Sequence, residues 1–274
     1  MKKILLLCDG DNFPKGAFKL IEQIRVNEPV TVKGLFFTSV DIEQMIPIGF
    51  IPVSEPYTKL KEGEKLLQMK SQDQFSKACE KHGIKYKIHP YEGSWDRDLF
   101  VKESRFADLV IISEELFCLD ALHVQPNYFM EETLRASECP VMVVPEQFKE
   151  IERLAVAYDG GKEAMFALKQ FVYLFPDYVD LPADFVHIKN ESGTEIPDQA
   201  LLNEYTKTHF ESLNASRLHF DPKKYFSSWL ENRRNVLLVT GSYARSAFSN
   251  LFNKSFADSI IANHTCPIFI AHFS

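Results

Sequence analysis

Two blocks of this chain open and close in the same way. A short apolar run passes into Asp-Gly at Ile4-Leu5-Leu6-Leu7-Cys8-Asp9-Gly10 and again at Leu154-Ala155-Val156-Ala157-Tyr158-Asp159-Gly160. Each block ends on Cys-Pro before a β-branched run, Cys139-Pro140-Val141 and Cys266-Pro267-Ile268. Proline is tolerated at the first residue of a strand, where its missing N–H costs little. A duplicated unit that begins and ends on strands leaves few architectures open.

Between those markers the hydrophobic period switches repeatedly. In the first block, strands are expected at 4–7, 30–37, 84–88, 108–112 and 141–144. A helix carrying Ala17, Phe18, Leu20, Ile21 and Ile24 closes before Pro29, and others are expected at 59–82, 99–106 and 128–136. The second block gives strands ending at Asp159 and at 184–188, 217–220, 236–239 and 268–271. Its helices are expected at 166–175, 199–213, 225–231 and 255–263. Strict alternation of this kind implies parallel sheets covered by helices. We expect two doubly wound, five-stranded, Rossmann-like α/β domains in tandem, spanning 1–147 and 152–274, with a charged connector between them. Ligands of such sheets sit beyond the carboxyl ends of the strands.

One strand-to-helix passage in the second block draws particular notice. The buried-looking run Asn235-Val236-Leu237-Leu238-Val239 leads into Gly241-Ser242-Tyr243-Ala244-Arg245. Ser255-Phe256-Ala257-Asp258 then stands before Ser259-Ile260-Ile261-Ala262, close to a capping box and so a helix start. Unpaired N–H groups and partial positive charge at a helix N-terminus make it a natural seat for phosphate. Many strand–loop–helix turns carry a Gly and a Ser and bind nothing, so spacing alone leaves both readings open.

These residues resemble the universal stress protein family in its tandem two-domain form. The markers are the strands ending in Asp9 and Asp159, the run Ala107-Asp108-Leu109-Val110-Ile111-Ile112, and the two Cys-Pro strands. The family's nucleotide loop is G-x2-G-x9-G-[S/T]; here it reads Gly241-x2-Ala244-x9-Lys254-Ser255. The spacing, the first Gly and the Ser match, while Ala244 and Lys254 replace glycines. The resemblance implies a pseudo-two-fold in which strands 141–144 and 268–271 meet each other or sit at the domain–domain seam. It also implies an adenine nucleotide, ATP, held in the second domain by Asp159, Gly241, Ser242, Ala244, Arg245, Lys254 and Ser255, with the segment after Val186 lining the adenine slot. Lys254 either pairs with phosphates or fills the cradle. In the first block Ser113-Glu114-Glu115 stands where the glycine loop belongs and Asn127-Tyr128 where Gly-Ser belongs. Carboxylates repel polyphosphate, so that block is expected not to bind.

Local readings compete with these. Asp9 and Asp159 hold a ribose or cap the following helix; Arg245 and Lys254 hold phosphate or are solvated. His187 and His219 fall on strands and read as interior groups rather than ligands. The eight histidines and five cysteines show no H-x-x-x-H or C-x-x-C, so no metal is required and no disulfide framework is expected. Cys139 and Cys266 have no neighbouring cation in sequence and read as small buried hydrophobes. Neither a Gly-x-Ser-x-Gly elbow nor a Walker lysine occurs, so no enzyme chemistry is expected.

Composition narrows the partners. A formal net charge of −7 argues against nucleic acid. No apolar run approaches the roughly 20 residues that span a bilayer. We therefore expect a cytoplasmic, non-enzymatic stress-response protein, either a monomer with an internal pseudo-dimer or a homodimer. The alternative is a ligand-free interaction scaffold acting through residues 39–58, a long apolar loop of a kind that is often functional.

Overall fold

The computed structural model describes residues 1–9, 13–37, 55–90, 93, 95–116, 128–188, 196–210, 213–218, 229–230, 233, 235–241 and 266–272. The first half contains β1 (Lys2–Asp9), α1 (Lys15–Asn27), β2 (Val30–Phe37), α2 (Glu55–Lys81), β3 (Lys85–Ile88), α3 (Arg97–Arg105), β4 (Leu109–Ser113), α4 (Tyr128–Ala136) and β5 (Val141–Val144). The second contains β6 (Arg153–Ala157), α5 (Lys162–Leu174), β7 (Ala183–Ile188), α6 (Gln199–His209), β8 (Leu213–Leu218), β9 (Val236–Thr240) and β10 (Ile268–Ile270).

All ten strands join one sheet, in the order β3-β2-β1-β4-β5-β10-β9-β6-β7-β8. Read inward from either edge, the two halves have the same strand order. Every pairing within a half is parallel, and the single antiparallel pairing, β5 with β10, joins the halves. Its register reveals the symmetry. Superposing Cys139-Pro140 on Cys266-Pro267 makes Met142 the counterpart of Phe269, and these two lie opposite each other, with Ile268 on Val143 and Ile270 on Val141. The pseudo-dyad therefore passes through the Met142–Phe269 pair. The meeting of the two terminal strands, implied by the resemblance, holds.

Both faces of the sheet are covered because alternate residues of each strand are apolar. Ile4, Leu6 and Cys8 of β1 pack with Ala17, Phe18 and Ile21 of α1 and Phe75 and Cys79 of α2. Leu5 and Leu7 face the other way, with Phe100 of α3 and Met130 and Leu134 of α4. Phe269 is fully buried, its ring 5.4 Å from Phe171 and 5.9 Å from Phe175. The edge strand β3 turns Lys85 and Lys87 outward, which discourages pairing with a further strand.

Several boundaries depart from the sequence expectation. Helix α2 begins at Glu55 rather than residue 59, so the end of the expected 39–58 loop is helical; residues 39–54 lie outside the described residues. Helix α5 begins at Lys162 rather than 166, directly after Gly161. The expected helix 199–213 stops at His209, and Leu213 already belongs to β8, which starts earlier than the expected 217. Phe210 is the reason: it turns extended (φ −124°, ψ 130°), becomes buried, and sets its ring 5.7 Å from Phe185. Tertiary packing thus overrides a helical pattern. The expected helix 255–263 and most of 225–231 lie outside the described residues.

Candidate functional site

In the second half the carboxyl ends of β6, β7 and β9 converge on the start of α5. Asp159 follows β6, and its Oδ1 accepts from the Gly161 N–H at 2.7 Å, closing a tight loop onto the N-cap residue of α5. Gly160 has φ +83°, and a Cβ there would stand 2.5 Å from the Pro197 side chain, so glycine is demanded twice over. Gly161 offers no side chain to cap the helix. Tyr158 bridges the loop to the segment before α6: its buried ring directs the hydroxyl to the Pro197 carbonyl at 3.1 Å. Burial, with Asp198 and Asp159 nearby, pushes that hydroxyl above its ordinary pKa.

Gly241, just past β9, lies against the same helix start. A Cβ on it would come within 2.6 Å of the Glu163 carbonyl carbon and 2.7 Å of the Ala164 nitrogen. Close approach of the α5 backbone therefore explains this glycine whether or not a ligand is bound. Of the seven residues expected to hold a nucleotide, Asp159 and Gly241 are described, and both meet the first turn of α5. Ser242, Ala244, Arg245, Lys254 and Ser255 lie outside the described residues.

His187, near the end of β7, is interior, as expected, but only half satisfied. Its Nδ1 lies 2.9 Å from the Tyr158 carbonyl oxygen, which can only accept, so the proton is on Nδ1. Its Nε2 is buried and has no hydrogen-bond partner among the described residues.

The corresponding end of the first half is laced with carboxylates. Glu114, which corresponds to Gly241, is buried, and its backbone N–H extends the ladder to the Val144 carbonyl at 3.0 Å. Its Oε1 accepts from the Glu146 N–H at 3.2 Å. Glu146 Oε1 accepts from Ser113 Oγ at 2.8 Å, and its Oε2 accepts from the Gly16 N–H in the first turn of α1 at 3.3 Å. Ser113 Oγ in turn accepts from the Glu115 N–H at 3.2 Å. Nothing in the sequence singled out Glu146, which falls in the charged connector. Its partner on α1 is 130 residues away.

The four described thiols are buried or half-buried. Burial pushes Cys79, Cys139 and Cys266 up to about 12 and Cys8 well above its ordinary value. Little thiolate forms near neutrality, as the absence of neighbouring cations suggested. Among the described residues no three His, Cys, Asp or Glu side chains are grouped to hold a metal ion, and no helix is long and apolar enough to cross a membrane.

No protein-family model matches the sequence, and no curated protein matches it. The structure does find counterparts. A universal stress protein from Archaeoglobus fulgidus superposes over 100% of this chain and 97% of its own, with a TM-score of 0.65 and 16% identity. This chain has the tandem universal stress protein fold. A putative universal stress protein from Pseudomonas aeruginosa shares that fold over 99% of this chain and 93% of its own, with a TM-score of 0.55 and 9% identity. A functionally unknown protein from Pseudomonas aeruginosa covers 99% and 92%, with a TM-score of 0.52 and 9% identity. At such identities the likeness is one of fold. The residues at the strand ends must supply the rest of the argument.

Proposed function

We propose that this chain is a non-enzymatic, cytoplasmic stress-response protein built of two units, 1–147 and 152–274, that binds an adenine nucleotide, ATP, in the second unit alone. The observation that carries this reading is the contrast at the two helix starts. In the second half the strand end carries Gly241, which has no side chain, while the carboxylates nearby are Asp159, which accepts from the Gly161 N–H, and Glu163 in the first turn of α5. In the first half the same strand position holds Glu114, and Glu146 accepts from the Gly16 N–H of α1. N–H groups at a helix start favour an anionic ligand, and a carboxylate held at the strand end opposes one. Ser242, Ala244, Arg245, Lys254 and Ser255 complete the proposed cradle from the loop after Gly241.

Isothermal titration of the full chain with ATP tests the proposal. We expect one site per chain, and a Ser255→Ala variant weaker by about tenfold, the loss of roughly one charge-assisted hydrogen bond. No heat from the unmutated chain removes the binding reading. Gly241→Asp is a poor probe, because its Cβ would strike the α5 backbone and unsettle the fold itself. No turnover of ATP is expected.

The scaffold reading has one observation in its favour. Helix α2, which continues directly from residues 39–54, exposes Leu66 at 69% and Met69 at 57%. Unchanged partners in pull-downs after deletion of 39–54 would count against it.

A further inference from the structure

We infer that Glu146 is an internal ligand: from the connector, its carboxylate fills the anion position at the N-terminus of α1, closing the first half to external anions and latching the connector to that half. Helix α1 needs such a group. Its N-cap is Pro14, which offers no side-chain acceptor, and its first turn contains no acidic residue. Four backbone N–H groups at a helix start lack intrahelical partners and carry partial positive charge. Glu146 answers with both oxygens, Oε2 toward the Gly16 N–H at 3.3 Å and Oε1 toward Ser113 Oγ at 2.8 Å.

The connector is shaped around this contact. A Cβ on Gly16 would lie 2.0 Å from the Pro145 carbonyl oxygen, so glycine is what lets the connector descend onto the helix. The Phe148 N–H donates to that same carbonyl at 3.0 Å, Gln23 Nε2 donates to the Lys149 carbonyl at 2.9 Å, and Phe148 and Ile151 are buried. The Glu146 backbone N–H is itself held by Glu114 Oε1 at 3.2 Å.

The position suits a planar monoanion rather than a phosphate. Glu114 and Asp9 are both buried carboxylates, so further negative charge is unwelcome. At the equivalent position of the second half, six residues after Pro267 as Glu146 is six after Pro140, the sequence has Phe273.

Chemical rescue tests the inference. Thermal unfolding of the full chain is compared for the unmutated protein and Glu146→Ala, in sodium acetate, sodium phosphate and sodium chloride of equal ionic strength. Glu146→Ala is expected to lower Tm by about 2–4 °C, the loss of one anion at a helix start in a chain of this size. Acetate should restore at least half of that, beyond any shift it gives the unmutated chain, and should move the Gly16 amide resonance of the variant. Phosphate should do neither. Ser113→Ala, which removes one donor and keeps the carboxylate, is expected to lose about half as much and to show no rescue, and it serves if Glu146→Ala does not fold. An unchanged Tm in both variants, acetate acting no better than chloride on Glu146→Ala, or phosphate rescuing as well as acetate would each overturn the proposal. A rescuable Ser113→Ala would overturn it too.

Discussion

The halves share strand order but solve the same packing problem from opposite sides. In the second half the strand end yields: Gly241 has no side chain, and the first turn of α5 presses against its backbone. In the first half the helix yields: Gly16 has none, and the Pro145 carbonyl takes the space. The residue opposite each glycine then sets the chemistry. With its strand end bare, the second half sets the α5 N-terminus beside Asp159 and Gly241. With its helix bare, the first half admits a connector that brings Glu146 with it. One fold thus yields a strand end without a side chain in one half and a carboxylate-filled one in the other, according to which partner gives up its Cβ.

That comparison can be broken at the seam. Phe269→Ala empties a fully buried site in a ring cluster and is expected to cost about 3–5 kcal/mol, whereas Met142→Ala, across the pseudo-dyad, is expected near the low end of about 2–5 kcal/mol. Urea denaturation reads both. Equal losses would mean that the two sides of the seam are packed alike.

It can be sharpened at the strand ends. Gly241→Ala places a methyl 2.6 Å from helix backbone, which cannot rotate away, and we expect a loss of about 1–3 kcal/mol. Glu114→Ala, at the matching position, removes the acceptor for the Glu146 N–H and should cost about 1 kcal/mol. A Gly241→Ala chain as stable as the parent would show that α5 does not rest on that residue.

A smaller effect concerns pH. In the first half, His89 lies 3.4 Å from Glu103, whose oxygens both accept from Lys33 Nζ at 2.7 Å. Burial first, then Lys33, lowers the His89 pKa below its ordinary 6.5 despite Glu103. As pH falls through 6.5 the unfolded chain takes up the proton before the folded one does, so stability declines on the acid side and is unaffected above it. Tm measured from pH 7.5 to 5 should fall less steeply in His89→Gln than in the parent; parallel slopes would contradict this. Smallest of all is the expected alkylation of the paired thiols: with Cys139 and Cys266 both raised to about 12, native iodoacetamide treatment should leave both unmodified by mass spectrometry.

The sequence displayed most of the sheet and rather less of the site. Strands β1, β2, β4, β5 and β9 were legible because each contains a continuous apolar run, with β1 passing into Asp-Gly and β5 following Cys-Pro, signals that act within a few residues. Joining the halves into one sheet was not a matter of periodicity; only the resemblance implied that β5 and β10 meet. The overrun of α6 past His209 arose because Phe210 fits a helical stripe equally well as an interior contact of Phe185. Asp159 and Gly241 were each legible as candidate ligand residues, Gly241 ahead of the expected helix at 255–263, but their meeting at the first turn of α5 was not, and the reason for Gly241 lies in the α5 backbone. Glu146 was illegible: a carboxylate in a charged connector looks like any solvated side chain until the chain folds it onto a helix 130 residues earlier. The half-satisfied state of His187 likewise depends on a carbonyl from the neighbouring strand.

The asymmetry is tested most directly by following backbone amide resonances of the full chain as ATP is added. The account predicts shifts at Asp159, Gly160, Gly161 and Gly241, with Gly16 and Glu114 unmoved. Shifts at Gly16 and Glu114, or none anywhere, would contradict it.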